Sequence, residues 1–316
     1  MLALDKKKFT GVSQFLARFR GWIQAGAALL TNLHLPNFLK GRLYQGAGKT
    51  VCVPGLNCYS CPAASGACPI GAFQAVVGSS KFSFSYYITG ILILLGVLLG
   101  RFICGFLCPF GWFQELLHKI PSRKLSTRKL KPLRYLKYAI LLVMVFLLPA
   151  FLVNDVGMGD PFFCKYLCPQ GVLEGAIPLS LANSGIRAAL GSLFTWKLGI
   201  LLVVIVLSVL FYRPFCKWIC PLGAFYALLN KVSLVQMKVD QSKCISCGKC
   251  AKACKMDVDV TKSPNHTECI RCGMCVRACP TNAVHFRCGF GTGKQGTVLP
   301  EKTNKQMNDI VKEKKS

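Results

Sequence analysis

The stretch RFICGFLCPFGWFQELLHKI, residues 101–120, decides how the rest of the chain is interpreted. Two cysteines, Cys104 and Cys108, end an apolar run and are followed by a proline and a glycine. Residues 213–232 repeat this arrangement as RPFCKWICPLGAFYALLNKV. Positions i and i+4 share one face of a helix, so each pair offers two thiols in one direction. The repeat therefore predicts two matching half-sites, each with two thiolates.

The motif C-P-x-G occurs four times in the chain and predicts how each half-site is built. Besides the two pairs above, it ends the pair Cys164/Cys168 and, with a longer gap, Cys61/Cys68. Proline suits the first position of a helix, which places the preceding cysteine at the N-cap, where the helix dipole favours a thiolate. The apolar segments that follow are too short to cross a bilayer and are predicted to be re-entrant half-helices. They are residues 69–77, 109–118, 169–182 and 221–232.

The composition indicates a membrane protein. Of the 316 residues 53% are hydrophobic and 16% are charged, and the mean hydropathy is +0.44. The apolar runs 84–103, 135–153 and 194–212 have the length of a membrane span, and 17–36 is a weaker fourth. Nineteen cysteines in a chain this long and apolar do not indicate a secreted disulfide scaffold. The net charge of +27 lies largely in loops and the tail, which favours membrane lipid and acidic proteins as partners and argues against nucleic acid.

The charges of the loops predict the orientation. The segment 119–137 contains eight lysines and arginines and no acid, so the positive-inside rule places it in the cytoplasm. Alternating spans then put both termini in the cytoplasm and the segments 37–83 and 154–193 outside. Residues 37–83 carry four basic residues and no acid, against the rule, but at a lower density. The predicted location is the cytoplasmic (inner) membrane, crossed several times.

Two cysteine runs near the C-terminus predict a bacterial ferredoxin module. Each run reads C-x2-C-x2-C-x3-C, in which three close thiolates hold one 4Fe-4S cluster and the fourth reaches the other cluster. One predicted ligand set is Cys244, Cys247, Cys250 and Cys279, and the second is Cys269, Cys272, Cys275 and Cys254. Structural zinc is the alternative, and two complete runs in tandem argue against it.

The membrane half-sites are predicted to pair across two parallel repeats. In each half of the chain a cysteine pair, a span and a second pair follow one another. The predicted inner site is Cys104, Cys108, Cys216 and Cys220, and the predicted outer site is Cys61, Cys68, Cys164 and Cys168. Cys58 and Cys52 are alternative outer ligands, and with Cys61 and Cys68 they could also form a site of their own. Two further 4Fe-4S clusters are therefore predicted in the membrane region, with disulfides as the alternative on the outer side.

Arg101 and Arg213 each stand three residues before a cysteine pair. Two interpretations apply to them. A long cationic side chain can reach from an apolar segment to the membrane interface. It can also compensate the negative charge of a cluster held by four thiolates. The sequence leaves both interpretations open.

These observations define the predicted fold class. It is an α-helical integral membrane protein with two parallel pseudo-repeats and a C-terminal α+β bacterial ferredoxin-like domain for two 4Fe-4S clusters. About four transmembrane helices and the re-entrant half-helices form the membrane part. The predicted divisions are a cytoplasmic N-terminus (1–16), membrane repeat 1 (17–133), membrane repeat 2 (134–234), the di-cluster ferredoxin domain (235–290) and a disordered basic tail (291–316).

The motifs CGFLCPFG and CKWICPLG, joined to a double ferredoxin run, resemble the NapH/NosR-type polyferredoxin membrane protein family. The stretches QAGAALLTNLHLPNFLKGRLY and CPAASGACPIGAFQ are similar to that family as well, so the resemblance covers residues 17–287. It implies cytoplasmic ferredoxin clusters and electron transfer at a membrane. NapH-like members are linked to quinol oxidation, and NosR-like members carry an additional outer flavin domain.

The predicted function is electron transfer between the cytoplasmic ferredoxin clusters and an extracytoplasmic redox partner, such as a flavoprotein, through membrane-embedded clusters. The expected cytoplasmic donor is an acidic ferredoxin or flavodoxin, because residues 238–287 contain nine basic residues and four acids. The alternatives are a quinol-oxidising subunit, a membrane redox sensor and a thiol–disulfide relay. No catalytic residue is predicted, and the chain is either an electron-transfer protein or a subunit of a membrane oxidoreductase.

Overall fold

The computed structural model of the chain describes residues 6–79, 86–155 and 158–289. The predicted basic tail, 291–316, and the first two residues of the predicted span 84–103 lie outside the described residues. In chain order the α-helices are α1 (Lys6–Thr31), α2 (Asn37–Lys40), α3 (Pro69–Gly78), α4 (Tyr86–Leu98), α5 (Phe102–Phe106), α6 (Pro109–His118), α7 (Leu136–Ile140), α8 (Leu148–Phe151), α9 (Ile177–Ala182), α10 (Ser184–Ala188), α11 (Ser192–Leu210), α12 (Pro214–Trp218), α13 (Pro221–Leu229), α14 (Lys249–Ala253) and α15 (Met274–Ala278). The 3-10 helices are Ala47–Thr50 and Arg128–Tyr135, and the π-helices are Leu141–Leu147, Phe163–Leu167 and Gly171–Ala176.

The four segments after the C-P-x-G motifs are helical. Helices α3, α6 and α13 each begin at the proline of the motif, and the cysteine before it has an extended backbone at the N-cap. After the third motif the chain is a π-helix that continues into α9. The proline starts the helix because its fixed φ is helical and its missing N–H needs no partner there. The second cysteine of each pair therefore lies just before a helix.

All three π-helices end two residues before a proline. These prolines are Pro149, Pro169 and Pro178. A proline cannot donate a backbone hydrogen bond, and its ring collides with the carbonyl four residues earlier. A wider π-helical turn moves that carbonyl away from the ring. The proline positions thus account for irregular helix before Pro149 and Pro178, whereas before Pro169 the helix has already ended at Cys168, which has an extended backbone.

Membrane-length helices are fewer than predicted. Within the described residues, two helical segments are long and apolar enough to cross a bilayer, Leu130–Phe151 and Ser192–Leu210. The predicted span 84–103 is divided, because α4 ends before Gly100, which has a φ of 55°, and α5 follows it. Positive φ is incompatible with a continuing helix. The predicted span 17–36 falls on α1, which has too many polar residues to meet the same criterion.

Helix α1 is polar on its buried face and apolar on its exposed face. The buried side chains of Arg20 and Gln24 both donate hydrogen bonds of 2.9 Å to the carbonyl of Gly105. By contrast, Trp22 is 78% exposed, and five other large apolar side chains of this helix are exposed with it. A helix on the surface of a water-soluble protein has the opposite arrangement.

The C-terminal module contains one antiparallel pair of strands that are far apart in the sequence. Strand β1 (Val235–Val239) pairs with β2 (Val284–Cys288), and Met237 lies opposite Phe286. Both side chains are buried in a core that also contains Ala17 of α1. The N-terminal helix therefore packs against the last part of the described chain.

Two acids attach the module to the helices before it. Glu268 accepts hydrogen bonds of 2.6 Å from Lys137 and 2.9 Å from Arg101, and both basic side chains are fully buried. Asp257 forms a 3.2 Å ion pair with the buried Lys217. Buried charges of this kind need a partner of opposite sign, so these contacts hold the module in one orientation.

Candidate iron–sulfur sites

The two loops of the ferredoxin-like module have matching backbones. In each run the residues two and four positions after the first cysteine, and three positions after the last one, have positive φ. They are Ser246, Gly248 and Asp257 in the first run and Arg271, Gly273 and Asn282 in the second. Left-handed residues among right-handed ones turn neighbouring N–H groups to one side and form a concavity that suits an anion or an iron–sulfur cluster.

The first predicted ligand set surrounds a single cavity. Cys244, Cys247, Cys250 and Cys279 all line it. The Cys279 sulfur accepts a 3.3 Å hydrogen bond from the backbone N–H of Ala283. Burial acts to raise the pKa of Cys279, but hydrogen bonds from Thr281 and from the backbone outweigh it and lower that pKa. Cys279, the last cysteine of the second run, is thus prepared to be a thiolate beside the first run.

The second predicted set also lies together. The Cys275 thiol interacts electrostatically with the other three cysteines of its set, Cys272, Cys269 and Cys254. It also interacts with Cys250 of the first set. Burial raises the pKa of Cys269 to about 11, which means that its thiolate requires a positive partner at neutral pH. An iron–sulfur cluster supplies such a partner, since its irons bind thiolates.

The inner membrane set is formed by both halves of the chain. The Cys220 thiol interacts electrostatically with Cys216, Cys104 and Cys108, and all four side chains are buried. Cys220 also accepts a 3.3 Å hydrogen bond from the backbone N–H of Gly223, at the start of α13. The N-cap position predicted for the second cysteine of the pair is present, with the helix N-terminus directed at the sulfur.

Arg101 and Arg213 are fully buried beside the inner set. Both side chains have 0% exposure, so the interpretation that they reach the membrane interface is wrong. Arg213 interacts electrostatically with Cys216 and Cys108, and Arg101 with Cys104. Among the described residues, no hydrogen-bond acceptor faces Nε and Nη2 of Arg101 or Nη2 of Arg213. Buried charged donors without acceptors are costly, so a negative group between the four cysteines fits this site.

The two arginines lie against motif glycines. A Cβ on Gly111 would lie 2.9 Å from Nη1 of Arg213, and one on Gly223 would lie 3.6 Å from Nη2 of Arg101, which is ordinary contact. Each guanidinium therefore lies against the motif from the opposite half of the chain. Gly111 leaves space for the Arg213 cation beside the sulfurs, which the sequence alone does not reveal.

At the outer site the structure groups three of the predicted cysteines with Cys58, the predicted alternative. The Cys168 thiol interacts electrostatically with Cys164, Cys58 and Cys68. The predicted ligand Cys61 instead has its sulfur 3.6 Å from Oδ1 of Asn32. The structure therefore brings Cys58, the alternative ligand, to the pair from the second half of the chain. Counting residues back from the motif does not distinguish the two, because the gap is longer here than in the other pairs.

A short segment without helix or strand, 54–58, connects the inner and outer sites. A Cβ on Gly55 would lie 2.8 Å from the Cα of Cys108, so this backbone touches the inner set. The segment ends at Cys58, which lies in the outer set. Two side chains from the second half hold it: Tyr226 donates a 3.1 Å hydrogen bond to the Pro54 carbonyl, and Glu174 accepts one of 3.1 Å from the Cys58 N–H.

The ferredoxin-like module touches the inner site through backbone atoms. Gly105 follows Cys104 directly, and a Cβ at this position would collide with the carbonyl of Ile270. Ile270 lies in the second ferredoxin-type run, between Cys269 and Cys272. The second ligand set and the inner set are therefore adjacent.

A cavity lies between the half-helices of the two halves. It is bounded by α6 and by the helix after Cys168. Trp112 and Phe113 contribute rings, and Asn32, Gln170 and Glu174 contribute polar groups. This combination of aromatic walls and a few convergent polar groups is typical of sites for small organic molecules.

A mononuclear metal site is not the arrangement seen. All nineteen cysteines are free thiols. In the described part of the chain, no three His, Cys, Asp or Glu side chains converge closely enough to hold a single metal ion. Tetrahedral zinc would require such convergence, with Zn–S distances of about 2.3 Å.

Several residues of the sites were missed by the sequence analysis. Glu268 was counted only as an acid of the module, and Lys137 only as a topology signal. A lysine inside a predicted span is itself a signal of a buried partner. Gln74 and Gln114 were missed too, although two of the four motifs extend to the word C-P-x-G-x-x-Q.

Comparison with known proteins agrees with these groups. A 4Fe-4S binding domain model matches residues 66–87, 83–128, 137–177 and 193–240, and each match contains one C-P-x-G motif. A second 4Fe-4S binding domain model matches residues 237–258 and 263–285. No solved structure matches the chain.

Curated relatives match about half of the chain. An uncharacterized protein of Methanocaldococcus jannaschii is 28% identical over 54% of this chain and 66% of its own length. The putative electron transport protein YccM of Escherichia coli is 28% identical, covering 54% of this chain and 45% of that protein. The ferredoxin-type protein NapH of Haemophilus influenzae is 26% identical, covering 56% of this chain and 54% of that protein.

Proteins named MauN and NosR match at 26–27% identity. The chain spans only part of these relatives, from 66% of the archaeal protein to 20% of NosR. The two domain models together match most of the chain, and the relatives MauN and NapH are named ferredoxin-type proteins. The chain therefore belongs to the NapH/NosR-type polyferredoxin family.

Proposed function

We propose that this chain is a membrane electron-transfer protein with four 4Fe-4S sites in series. Two sites lie in the ferredoxin-like module, one is the inner membrane set and one is the outer set. Bound clusters supply one-electron transfer. The chain's own residues hold the sulfurs, balance their charge and keep neighbouring sites in contact.

The observation that carries this proposal is the pair of buried arginines. Arg101 and Arg213 have unpaired N–H groups beside four buried cysteines from both halves of the chain. Arg101 shares Glu268 with Lys137, and Arg213 shares Glu115 with Arg20, so two acids face four buried cations. Four neutral thiols do not balance the remaining positive charge, whereas a cluster with four thiolate ligands does. A disulfide relay at the same cysteines would leave this excess charge and the free N–H groups without partners, which is unfavourable in a buried site.

The contacts between sites support a continuous path. The module meets the inner set where Ile270 packs on Gly105, and the segment 54–58 extends from the inner set to Cys58. On this basis we assign Cys58 in place of Cys61 as the fourth outer ligand. The other proposed ligands are those predicted from the sequence: Cys68, Cys164 and Cys168 outside, Cys104, Cys108, Cys216 and Cys220 inside, and the eight cysteines of the two ferredoxin-type runs.

The exposed surface supports a membrane location. The segments Leu130–Phe151 and Ser192–Leu210 are largely unburied, unlike the core helix of a water-soluble protein. Helix α1 exposes apolar side chains and buries polar ones. Lipid is the environment in which such surfaces are stable. We propose several crossings with both termini in the cytoplasm, as the loop charges predict.

The proposed partners follow from the surface charge of the module and from the side of the membrane proposed for each site. The module presents exposed lysines near the first ligand set, among them Lys243, Lys249 and Lys252. An acidic ferredoxin or flavodoxin would associate rapidly with such a surface. At the opposite end, an extracytoplasmic redox protein such as a flavoprotein would exchange electrons with the outer site. Either direction of flow is compatible with this arrangement.

Iron and sulfide analysis of anaerobically purified protein, with EPR, tests the proposal. We expect about sixteen irons per chain for four cubane clusters. A variant with serine at all four inner cysteines (C104S/C108S/C216S/C220S) should lose about four of them. The control is Cys288→Ser, an exposed thiol outside every set, which should keep the full number. Only about eight irons in the unaltered chain would restrict clusters to the module and refute the membrane path.

The cavity beside α6 favours a second candidate function, quinol oxidation. A quinol could stack on Trp112 or Phe113, with Glu174 placed to accept a proton. Oxidation of a quinol to a quinone releases two protons and two electrons, which two one-electron sites could accept. We expect quinol to reduce the purified protein, and Glu174→Gln to slow that step at least tenfold relative to the exposed control Asp155→Asn. Equal rates in both variants would exclude this role of the cavity.

A further inference from the structure

Two buried glutamines make the same contacts at the two membrane sites. Gln74 and Gln114 occupy the position six residues after the second cysteine of the motif, and both have 0% exposure. The Gln74 Nε2 donates a 3.2 Å hydrogen bond to the sulfur of Cys164, and its Oε1 accepts a 3.0 Å bond from the N–H of Phe163.

Gln114 repeats this pattern at the inner site. Its Nε2 donates a 3.2 Å hydrogen bond to the sulfur of Cys216, and its Oε1 accepts a 3.2 Å bond from the N–H of Phe215. In both places a half-helix of the first half holds the first cysteine of a pair from the second half. The coincidence of two contacts at two sites shows that the glutamine has a specific task.

The orientation of each amide is determined by its neighbours. A backbone N–H can only donate, so the glutamine atom facing Phe163 or Phe215 must be the oxygen. The amino group is then directed at the cysteine sulfur and at the carbonyl one turn earlier in its own helix, that of Ile70 for Gln74. The assignment of nitrogen and oxygen thus follows from the hydrogen-bond network.

The same position in the second half of the chain has a different function. There it is occupied by Glu174 and Tyr226, which bind backbone groups of Cys58 and Pro54. Neither of these recorded contacts donates to a cysteine sulfur. The donation from a side-chain amide is therefore specific to the motifs that end in glutamine, with one such donor at each membrane site.

We propose that Gln74 and Gln114 are positioning residues that set the reduction potential of the outer and the inner site, respectively. This inference rests on the proposed function, because it requires a cluster at each set. Reduction adds negative charge to a cluster and its thiolates. A hydrogen bond to a thiolate ligand stabilises the reduced form and raises the potential. Both glutamines are fully buried, so water does not replace a lost donor.

Potentiometric titration followed by EPR tests this inference in the variants Gln74→Met and Gln114→Met. Methionine approximates the length of glutamine and cannot donate a hydrogen bond. We expect each variant to keep about sixteen irons and to make reduction of one site about tenfold less favourable, a fall of about 59 mV. Gln74→Met should shift the outer site alone and Gln114→Met the inner site alone, so each variant is the control for the other.

A second measurement does not depend on the folding of a variant. In unaltered protein whose glutamine side chains carry 15N, pulsed EPR should detect an amide nitrogen coupled to each reduced membrane site. Absence of that coupling would overturn the inference, as would unchanged potentials in both variants with full iron content. About eight irons in the unaltered protein would instead refute the proposed function itself, and this inference with it.

Discussion

The ferredoxin-like module and the membrane region bind their proposed clusters by different structural means. In the module, three ligands of each set come from one short run, and the positive-φ residues of one run recur at the same positions of the other run. In the membrane region, each set combines pairs from the two halves of the chain, and at the inner set a buried arginine from each half lies against the motif of the opposite half. The module's sites therefore depend mainly on local backbone, and the membrane sites depend on the packing of the whole helical part.

This difference predicts how each site responds to mutation. A substitution that loosens helix packing should empty a membrane site and leave the module loaded. A substitution at the contact between the two regions should separate them without emptying either.

The largest effect is expected for Arg213→Met. Arg213 is fully buried, donates to the Cys104 carbonyl and forms a 2.7 Å ion pair with Glu115. Its loss leaves a buried acid short of a partner and should destabilise the chain by about 3–5 kcal/mol. We expect loss of about four irons, measured by iron analysis, with the module's signals retained in EPR. The control Arg128→Met, at a side chain that is 62% exposed, should keep all of them, and loss of the module's iron in R213M would contradict the comparison.

Glu268→Gln should detach the module while both regions keep their iron. Burial acts to raise the pKa of Glu268, but Arg101 and Lys137 outweigh it and lower that pKa from 4.5 to about 2. A pKa lowered by this amount corresponds to about 3 kcal/mol of stabilisation at neutral pH. We expect faster proteolysis between the two regions in E268Q than in the unaltered chain.

The same carboxylate gives a pH dependence with a defined sign. A lowered pKa in the folded state stabilises the chain above pH 4.5, and this contribution is lost as the pH falls towards about 2. The stability difference between the unaltered chain and E268Q should therefore shrink across that window, in denaturant titrations of both at each pH. A difference that stayed constant would show that Glu268 is not ionised in the fold.

A smaller effect is expected for Asp257→Asn. Asp257 pairs with Lys217 and Arg134 at 3.2 Å, and its own side chain is 9% exposed. Losing the charge should cost about 2 kcal/mol, because an asparagine still accepts hydrogen bonds there. Proteolysis of D257N should be intermediate between that of the unaltered chain and that of E268Q. A greater sensitivity than that of E268Q would mean that the attachment lies mainly at Asp257.

The smallest effect is expected at exposed lysines of the ferredoxin-like module. Lys249 and Lys252 are exposed beside the first ligand set. Replacing both with glutamate should slow association with an acidic ferredoxin about tenfold at low salt, and the difference should vanish near 1 M salt. Stopped-flow reduction measures this rate. Iron content and stability should not change, and the exposed pair Arg123/Lys124 replaced in the same way is the control.

Local features of the chain were predictable from its sequence. Short-range spacing predicts the half-helices after the C-P-x-G motifs, because it determines helix caps and loops directly. It also predicts the two ligand sets of the ferredoxin-type runs and the family. The membership of the family is confirmed by the domain models. Such features need no knowledge of distant contacts.

Long-range features were not predictable in the same way. Which of Cys58 and Cys61 joins the outer set depends on the fold of the loop at residues 54–58. Residue spacing alone does not predict that fold. Whether Arg213 faces lipid headgroups or the protein interior depends on the opposite half of the chain. The hydropathy of α1 does not predict that Arg20 and Gln24 point inward. In each case the deciding interaction joins residues far apart in sequence.

Helix α1 also has a consequence for how the protein is made. Its 26 residues extend about 39 Å. Near its start Gln14 bonds to Asn282, a separation of 268 residues. At typical rates of synthesis this partner emerges roughly 13 to 54 s later. Helix α1 is therefore completed by the ferredoxin-like module, which is made later, and until then the polar face of α1 lacks this partner. We expect the membrane sites to assemble before the contact between α1 and the ferredoxin-like module has formed.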